Sequence, residues 1–460
     1  MADRMAGPLA GALALALMLQ GCSVRGGPAL DRAEIPAAPD NWAARPDMET
    51  ADIAFPDGWV GQFADADLSA AIATAFARNR SLQSVLAQLR AARAAGRIDR
   101  ADLFPRIDFS ASASDAEGNP ALYQGNVTAS WEVDIWGRNL ANARAGNAEY
   151  RAAAADYAAA RQALAASVAQ AWYDRAAARE SQQLAERDLE TRNDTLRITD
   201  ARFRAGLASR LDVRLAQVAV SNSEDRLQAT LRASDNAARR LEVLTGQYPE
   251  GEAQGASALV APSPLPVTRL PAAVLAGRPD LVAAEARVDA AGLRAVDARH
   301  AMFPQLTLSL GADSQSGDIG DVFNPSRYLT AIAGGLLQPL FRGGALLAEA
   351  DRRGEIAQAA LFDYAEAALT AFQEVEDRLD AEATLARQVE VTGIAADEAR
   401  KAVGLTRSRY VNGRSTIFDL LNAQSGAIAA EIRAVEARRA RIENRIALHL
   451  AMGSEPFAAQ

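Results

Sequence analysis

Few side chains in this 460-residue sequence could do covalent or metal chemistry. It holds one cysteine, Cys22, and two histidines, too few for a zinc site or a thiol redox pair. No phosphate-cradling glycine loop and no Ser-His-Asp grouping is present, so no catalysis, metal or cofactor is expected. Asp and Glu number 58 against 49 Lys and Arg, without a basic block, which points away from nucleic acid. Residues 311–320 carry glycines and aspartates but lie between two strand-like runs, and read as a surface loop. Two short stretches stand out because they echo each other: R-F-R-A-G-L-A-S-R-L-D at 202–212 and R-Y-V-N-G-R-S-T-I-F-D at 409–419. Their chemistry is the hydrogen bonding of helix ends. Gly206 and Gly413 sit where a helix stops by turning left-handed. Ser209 with Asp212, and Thr416 with Asp419, fit a capping box that starts the next helix. Each stretch is therefore expected to be a tight helical hairpin. Turning the chain is reason enough for Gly206, Ser209, Gly413 and Thr416. Arg202, Phe203, Arg204, Tyr410 and Arg414 are bulkier and more charged than a turn requires, which makes them candidates for contact or gating.

The cysteine belongs to the leader. Residues 1–21 contain Arg4 and an apolar run from Leu9 to Leu19, shorter than the roughly 20 residues of a spanning helix but suited to an export signal. Leu19-Gln20-Gly21-Cys22 resembles the bacterial lipobox, although Gln20 stands where a small residue is usual. Lipidation of Cys22, palmitate included, is the expectation. Ser23 lacks the acidic character that retains such lipoproteins at the inner membrane, so the implied destination is the outer membrane.

The elements that must position the two turns are themselves duplicated. Gly206 and Gly413 are 207 residues apart, as are Phe203 and Tyr410, Ser209 and Thr416, Asp212 and Asp419, Gln217 and Gln424, and Gly246 and Gly453. Upstream, Leu103-Phe104-Pro105 answers Met302-Phe303-Pro304. The reading is two structural repeats, 79–249 and 278–453, after a 22–78 N-terminal lipidated segment. A Pro-rich connector at 250–277 joins them and a 454–460 tail follows. In each repeat a helix ends at a Phe-Pro step, and two alternating stretches follow. Ile107, Phe109, Ala111 and Ala113 give one, and Val127, Ala129, Trp131, Val133 and Ile135 the next. Leu306, Leu308 and Leu310, then Leu329, Ile332 and Leu336, repeat the pattern less regularly. Proline is then absent from 121–248 and from 340–455. A helix over 138–203 would be about 100 Å long, a length at home in coiled coils and helical tubes.

Two hairpins give four strands. The smallest closed membrane barrels need about eight, and an open edge in lipid leaves backbone groups unsatisfied. Copies must therefore pool strands: two chains supply eight and three supply twelve, and the pattern does not choose. Trp131 and Trp136 are placed as membrane-interface aromatics.

With these features the sequence resembles the TolC-type outer membrane factor family, in its lipoprotein branch with OprM and NodT. The carriers are Leu19-Gln20-Gly21-Cys22, the doubled element order, F-R-A-G-L-A-S-R-L-D-V at 203–213 and Y-V-N-G-R-S-T-I-F-D-L-L-N-A-Q at 410–424. The resemblance implies a mainly α protein with a membrane β-barrel. A homotrimer forms a 12-stranded barrel in outer membrane lipid, continued by a periplasmic α-helical tunnel. It implies the exit duct of a tripartite efflux pump, passive, with a periplasmic adaptor (membrane fusion) protein and an inner-membrane proton-driven transporter as partners. Phe203, Gly206, Ser209, Asp212, Gly413 and Thr416 become the periplasmic tip and adaptor docking surface, and Tyr410, Asp419 and Asn422 the iris-like gate. Asn422 replaces an aspartate of many relatives, and Ser415 a residue that is basic in some. A periplasmic coiled-coil lipoprotein acting as a tether is the competing class, though it would not need the two hairpins. The same duct serving protein secretion or metal-ion efflux is a third reading, weakened for metals by six Met and two His.

Overall fold

The computed structural model describes residues 36–44, 58–115, 121–260, 262 and 270–457. Cys22 and the signal segment lie outside the described residues. The chain divides into two compact units. One, built from Ala94–Glu149 and Arg287–Asp363, contains the sheet; the other contains Ile35–Arg93, Tyr150–Ala286 and Tyr364–Gln460.

The elements run α1 (Ala66–Arg78), α2 (Arg80–Ala101), β1 (Arg106–Ser114), β2 (Leu122–Val133), α3 (Arg138–Arg204) and α4 (Arg210–Leu244). After the connector come α5 (Pro271–Gly277), α6 (Pro279–His300), β3 (Gln305–Ser316), β4 (Leu329–Leu337), α7 (Ala345–Val411) and α8 (Ile417–Ala451). The duplication is visible in lengths: α3 and α7 both have 67 residues, and α4 and α8 both have 35. Caps set the starts. Asp65 accepts from the Leu68 amide at 2.9 Å to open α1. Asn79 accepts from Leu82 at 3.0 Å to open α2, while its own amide donates to the Leu244 carbonyl at 3.0 Å. One side chain thus satisfies the start of one helix and the end of another.

The four strands form one antiparallel sheet in the order β1-β2-β3-β4. Its register puts Ile107, Ala129, Leu310 and Ile332 in one row and Trp131, Leu308 and Gly334 in the next. That face is apolar, whereas the neighbouring rows carry Asp108, Thr128, Ser130, Ser309, Glu132 and Thr307. The apolar face is uncovered: Ile107 is 74% exposed and Ile332 85%. Every residue of the outer strands β1 and β4 is exposed, and each pairs along one side only. Among the described residues no helix is long and apolar enough to cross a membrane.

Alanine packing dominates the helical unit. Ala165, Ala169, Trp172 and Tyr173 of α3 meet Ile442 and Ile446 of α8, Leu241 of α4, Leu68 and Ile72 of α1, and Trp59. Small side chains let helix backbones approach closely, and the aromatics fill what remains. Trp59 stacks on the fully buried His449 at 5.8 Å. A second cluster seats Trp42 among Val274, Val375, Leu448 and Met452. Beside it, the amides of Ala43 and Ala44 donate to the Glu376 carboxylate at 2.7 Å each.

Two sequence expectations change, and two features are added to them. The loop expected at 311–320 is half strand: β3 continues to Ser316, because Asn126 bonds Asp313 across the sheet and Tyr123 still pairs Ser316. Its remainder enters a 3-10 turn capped by Asp318 at the Gly320 amide. Ile135 falls outside β2. A seven-residue helix with proline in its first turn, α5, lies inside the 250–277 stretch. Finally, the segment before residue 79 carries α1 and two buried tryptophans, packing that no periodicity announced.

Candidate functional site

The two repeated turns fold alike. At the end of α3 the Gly206 amide donates to Phe203 O at 3.0 Å and the Leu207 amide to Arg202 O at 2.8 Å. At the end of α7 Gly413 donates to Tyr410 O at 3.0 Å and Arg414 to Arg409 O at 2.8 Å. This is the Schellman pattern, and it needs a left-handed residue: φ is +73° at Gly206 and +71° at Gly413. Both capping boxes are reciprocal. Ser209 Oγ accepts from Asp212 N at 3.2 Å while Asp212 accepts from Ser209 N at 2.8 Å. Thr416 and Asp419 repeat this at 3.2 and 2.9 Å. Asp419 is exposed and takes more: the Thr416 amide, the Thr416 hydroxyl at 2.7 Å and the Ser415 hydroxyl at 3.0 Å hold its carboxyl below the usual range. Replacing Thr416 by alanine should cost about 1 kcal/mol of local helix stability. Amide exchange at the first turn of α8 reads this directly, and Thr416→Ser should restore protection.

Tyr410 is not at the surface of the chain. It is 4% exposed and packs with Ile417 and Leu420. The Arg202 guanidinium lies 4.9 Å from its ring centre and donates to the Tyr410 and Val411 carbonyls at 2.9 Å each. The first hairpin thereby grips the second. Thr199 Oγ1 donates to Thr195 O at 2.8 Å, so its single proton is used and Tyr410 OH must donate to it, at 3.0 Å. Phe203 and Asp212 are half-buried, and Asn422 is exposed.

Behind the turn the seam between α3 and α8 is polar, which the sequence reading missed. Gln424 donates to Thr195 Oγ1 at 2.9 Å. Arg192 reaches Ser425 Oγ at 3.2 Å and the Leu421 carbonyl at 3.4 Å. Its Nε also donates to Asp188 at 3.1 Å, and Ser223 and Arg226 of α4 add bonds to the same carboxylate at 2.7 and 3.2 Å. Asp188, Arg192, Thr195, Ser223 and Gln424 are buried, Arg192 at 4% exposure, while Arg226 and Leu421 are half-buried and Ser425 is exposed. The Gln217 and Gln424 correspondence was the one sequence signal touching this ladder.

In the sheet-bearing unit Trp131 and Trp136 are each part exposed. Their indole N–H groups donate to Leu103 O at 3.2 Å and Pro304 O at 2.8 Å, and Trp136 stacks on Phe303 at 5.1 Å. The two Phe-Pro steps that end α2 and α6 thus lie beside Trp131 and Trp136.

Comparison with known proteins identifies the architecture. The outer membrane efflux protein family matches residues 71–247 and 270–454. The pyoverdine export outer membrane protein OpmQ of Pseudomonas aeruginosa is 30% identical over 442 residues, covering 91% of each chain. The toluene efflux pump outer membrane protein TtgF of Pseudomonas putida is 30% identical over 422 residues, covering 87% of this chain and 88% of its own. In fold, the chain resembles the crystal structure of the Campylobacter jejuni outer membrane channel CmeC, with a TM-score of 0.83. That match covers 93% of this chain and 94% of CmeC at 20% identity. A family match across most of the sequence, with relatives 30% identical over nearly its whole length, makes this chain a member of the outer membrane efflux protein family, acting in the outer membrane as an efflux channel.

Proposed function

We propose that three copies of the chain form the passive exit duct of a tripartite pump. The observation that carries this reading is the four-stranded sheet with an uncovered apolar face and two unpaired edges. Unpaired backbone groups in lipid cost several kcal/mol each, so β1 of one copy must pair with β4 of the next until the ring closes. Three copies give twelve strands, enough for an open lumen, and the long helices continue the wall. Cys22 carries the lipid anchor, and Trp131 and Trp136 lie at the membrane interface. A tether would leave the apolar face without a purpose.

Phe203, Gly206, Ser209, Asp212, Gly413 and Thr416 form the periplasmic tip that a periplasmic adaptor grips. Tyr410, Asp419 and Asn422 belong to the gate, which opens by an iris movement of the paired helices. Energy comes from an inner-membrane proton-driven transporter, which also selects the cargo of drug-like small molecules. The names of the two relatives, one for pyoverdine export and one for toluene efflux, support a duct that leaves selection to its partners. Native mass spectrometry of the detergent-extracted protein is expected to give three chains, and planar bilayers to give discrete conductance steps. A single-chain particle without conductance would overturn the proposal.

A further inference from the structure

The loop 317–328 joins β3 to β4 at the end of the sheet away from the helices, and it does not stand clear of the strands. A Cβ built on Gly125 would lie 2.7 Å from Tyr328 Oη and 2.9 Å from Val322 Cγ1, so the loop rests directly on the backbone of β2. Val322 is buried there. Ser314 Oγ donates to Asp321 O at 3.3 Å, and Ser316 Oγ to the Asp321 carboxylate at 2.6 Å. The Phe323 ring lies 6.5 Å from that of Phe109 on β1. Alternation along each strand fixes which side this is. Gly125 shares its face with Val127 and Ala129, Ser314 and Ser316 share theirs with Leu310, and Phe109 with Ile107. All of these contacts place the loop over the apolar face of the sheet, not over the polar rows that carry Asp108, Thr128 and Glu132.

The loop is built for that position. The amides of Asp318, Gly320, Asp321, Asn324, Ser326 and Arg327 are bonded to Ser316 or within the loop itself, as backbone beside hydrocarbon requires. Tyr328 spends its hydroxyl proton on Val322 O at 2.5 Å. Phe323 and Ile319 are left 71% and 60% exposed, and with Phe109 they continue the uncovered apolar face of the sheet. Asp318 and Arg327 are exposed as well, which sets the loop at the depth where acyl chains meet headgroups rather than deeper. We infer that this loop is an outward brace, laying Ile319 and Phe323 against the acyl chains of the outer leaflet and leaving the lumen at that end clear of it. The inference rests on the duct reading, because the apolar face meets lipid, and the far end of the sheet the outer leaflet, only if the strands close a barrel whose helices are periplasmic.

Spin labels test this in the full-length assembled protein in phosphatidylcholine vesicles, with unsubstituted protein treated alike as the blank for Cys22. Oxygen partitions into lipid and nickel ethylenediaminediacetate stays in water, so the ratio of their collision rates with a nitroxide reports its surroundings. At Phe323→Cys and at Ile319→Cys that ratio should exceed several-fold the ratio at Thr128→Cys on the polar face, as should the ratio at Ile332→Cys on the apolar face. Two loop sites guard against misassembly of either. Adding Gly125→Leu, which drives a side chain into Tyr328 and Val322, should return both loop labels to the aqueous value while Ile332→Cys keeps its own. An Ile332→Cys label in lipid with both loop labels in water overturns the inference. Loop labels shielded from both reagents overturn it in favour of a contact with the next copy. Loop labels indifferent to Gly125→Leu overturn the seating on β2. An Ile332→Cys label in water sinks the duct reading, and the inference with it.

Discussion

Gly413→Pro should abolish export while leaving the assembled protein in the outer membrane. Proline is locked near φ −65°, and Gly413 sits at +71°. The substitution also removes the amide that donates to Tyr410 O, and it misdirects the next amide, which donates to Arg409 O. A proline in a conformation it cannot adopt, with a lost bond, costs roughly 3 kcal/mol or more, enough to unwind the last turn of α7. The Arg202 grip on the Tyr410 and Val411 carbonyls goes with it. The damage stays local, because the core cluster around Trp172 and Ile442 and the cluster of Tyr410, Ile417 and Leu420 are separate. Gly206→Pro should behave alike through the matching bonds to Phe203 O and Arg202 O. Gly413→Ala is the graded control. A methyl group there meets only the Arg202 guanidinium at 3.8 Å, so its cost is conformational, about 1–2 kcal/mol, and export should be reduced rather than lost. Drug susceptibility of cells carrying the complete pump, with oligomer content read on unheated gels, measures both effects. Normal resistance in both proline variants would remove these turns from the working end of the duct.

These turns are legible in the sequence because their information is local. A left-handed glycine and a hydroxyl-to-carboxylate spacing of three are constraints that few other sequences satisfy, and each stretch states them on its own. The strands were legible for a related reason. Alternation at Ile107 to Ala113 and Val127 to Val133 reports a two-faced sheet, and the observed register places those residues on its apolar face. What escaped was long-range and aperiodic. Trp42 and Trp59 sit in segments without repeat, and their burial depends on grooves made by helices hundreds of residues away. The end of β3 escaped because Asp313, Ser314 and Ser316 look like loop residues. They are held by a partner strand and by Asp321 rather than by their own propensity. Arg192 and Asp188, four apart on a helix, have only the spacing that an ordinary surface pair also has. Only the fold shows that both are buried and that Ser425 and Ser223 complete them.

That buried pair leads to the second large effect, expected for Arg192→Ala. Removing one partner leaves Asp188, with its side chain 6% exposed, as a charge in a dry seam. Breaking a buried pair this way costs about 3–5 kcal/mol. The low end applies here, because Arg226 still approaches Asp188 at 3.2 Å and the Ser223 hydroxyl at 2.7 Å. The loss also frees the Leu421 carbonyl and Ser425, so the effect should concentrate where α3 crosses α8. Amide protection over residues 186–200 should fall about a hundredfold, the equivalent of ~3 kcal/mol, while protection in the belt around Ala165 to Tyr173 stays near wild type. Replacing Asp188 and Arg192 together with leucine should recover most of the protection, since apolar pairs of similar volume often match or exceed buried ion pairs. The double variant separates two roles that one substitution confounds. If it is stable and still exports, the ladder is packing alone. If it is stable and the channel stays shut, the polar seam is what lets the tip half of α3 slide against α8, because hydrogen bonds to Thr195, Ser425 and Tyr410 can be exchanged for others at low cost and interdigitated leucines cannot. Uniform protection across α3 in Arg192→Ala would show instead that the seam carries no special share of the stability at all.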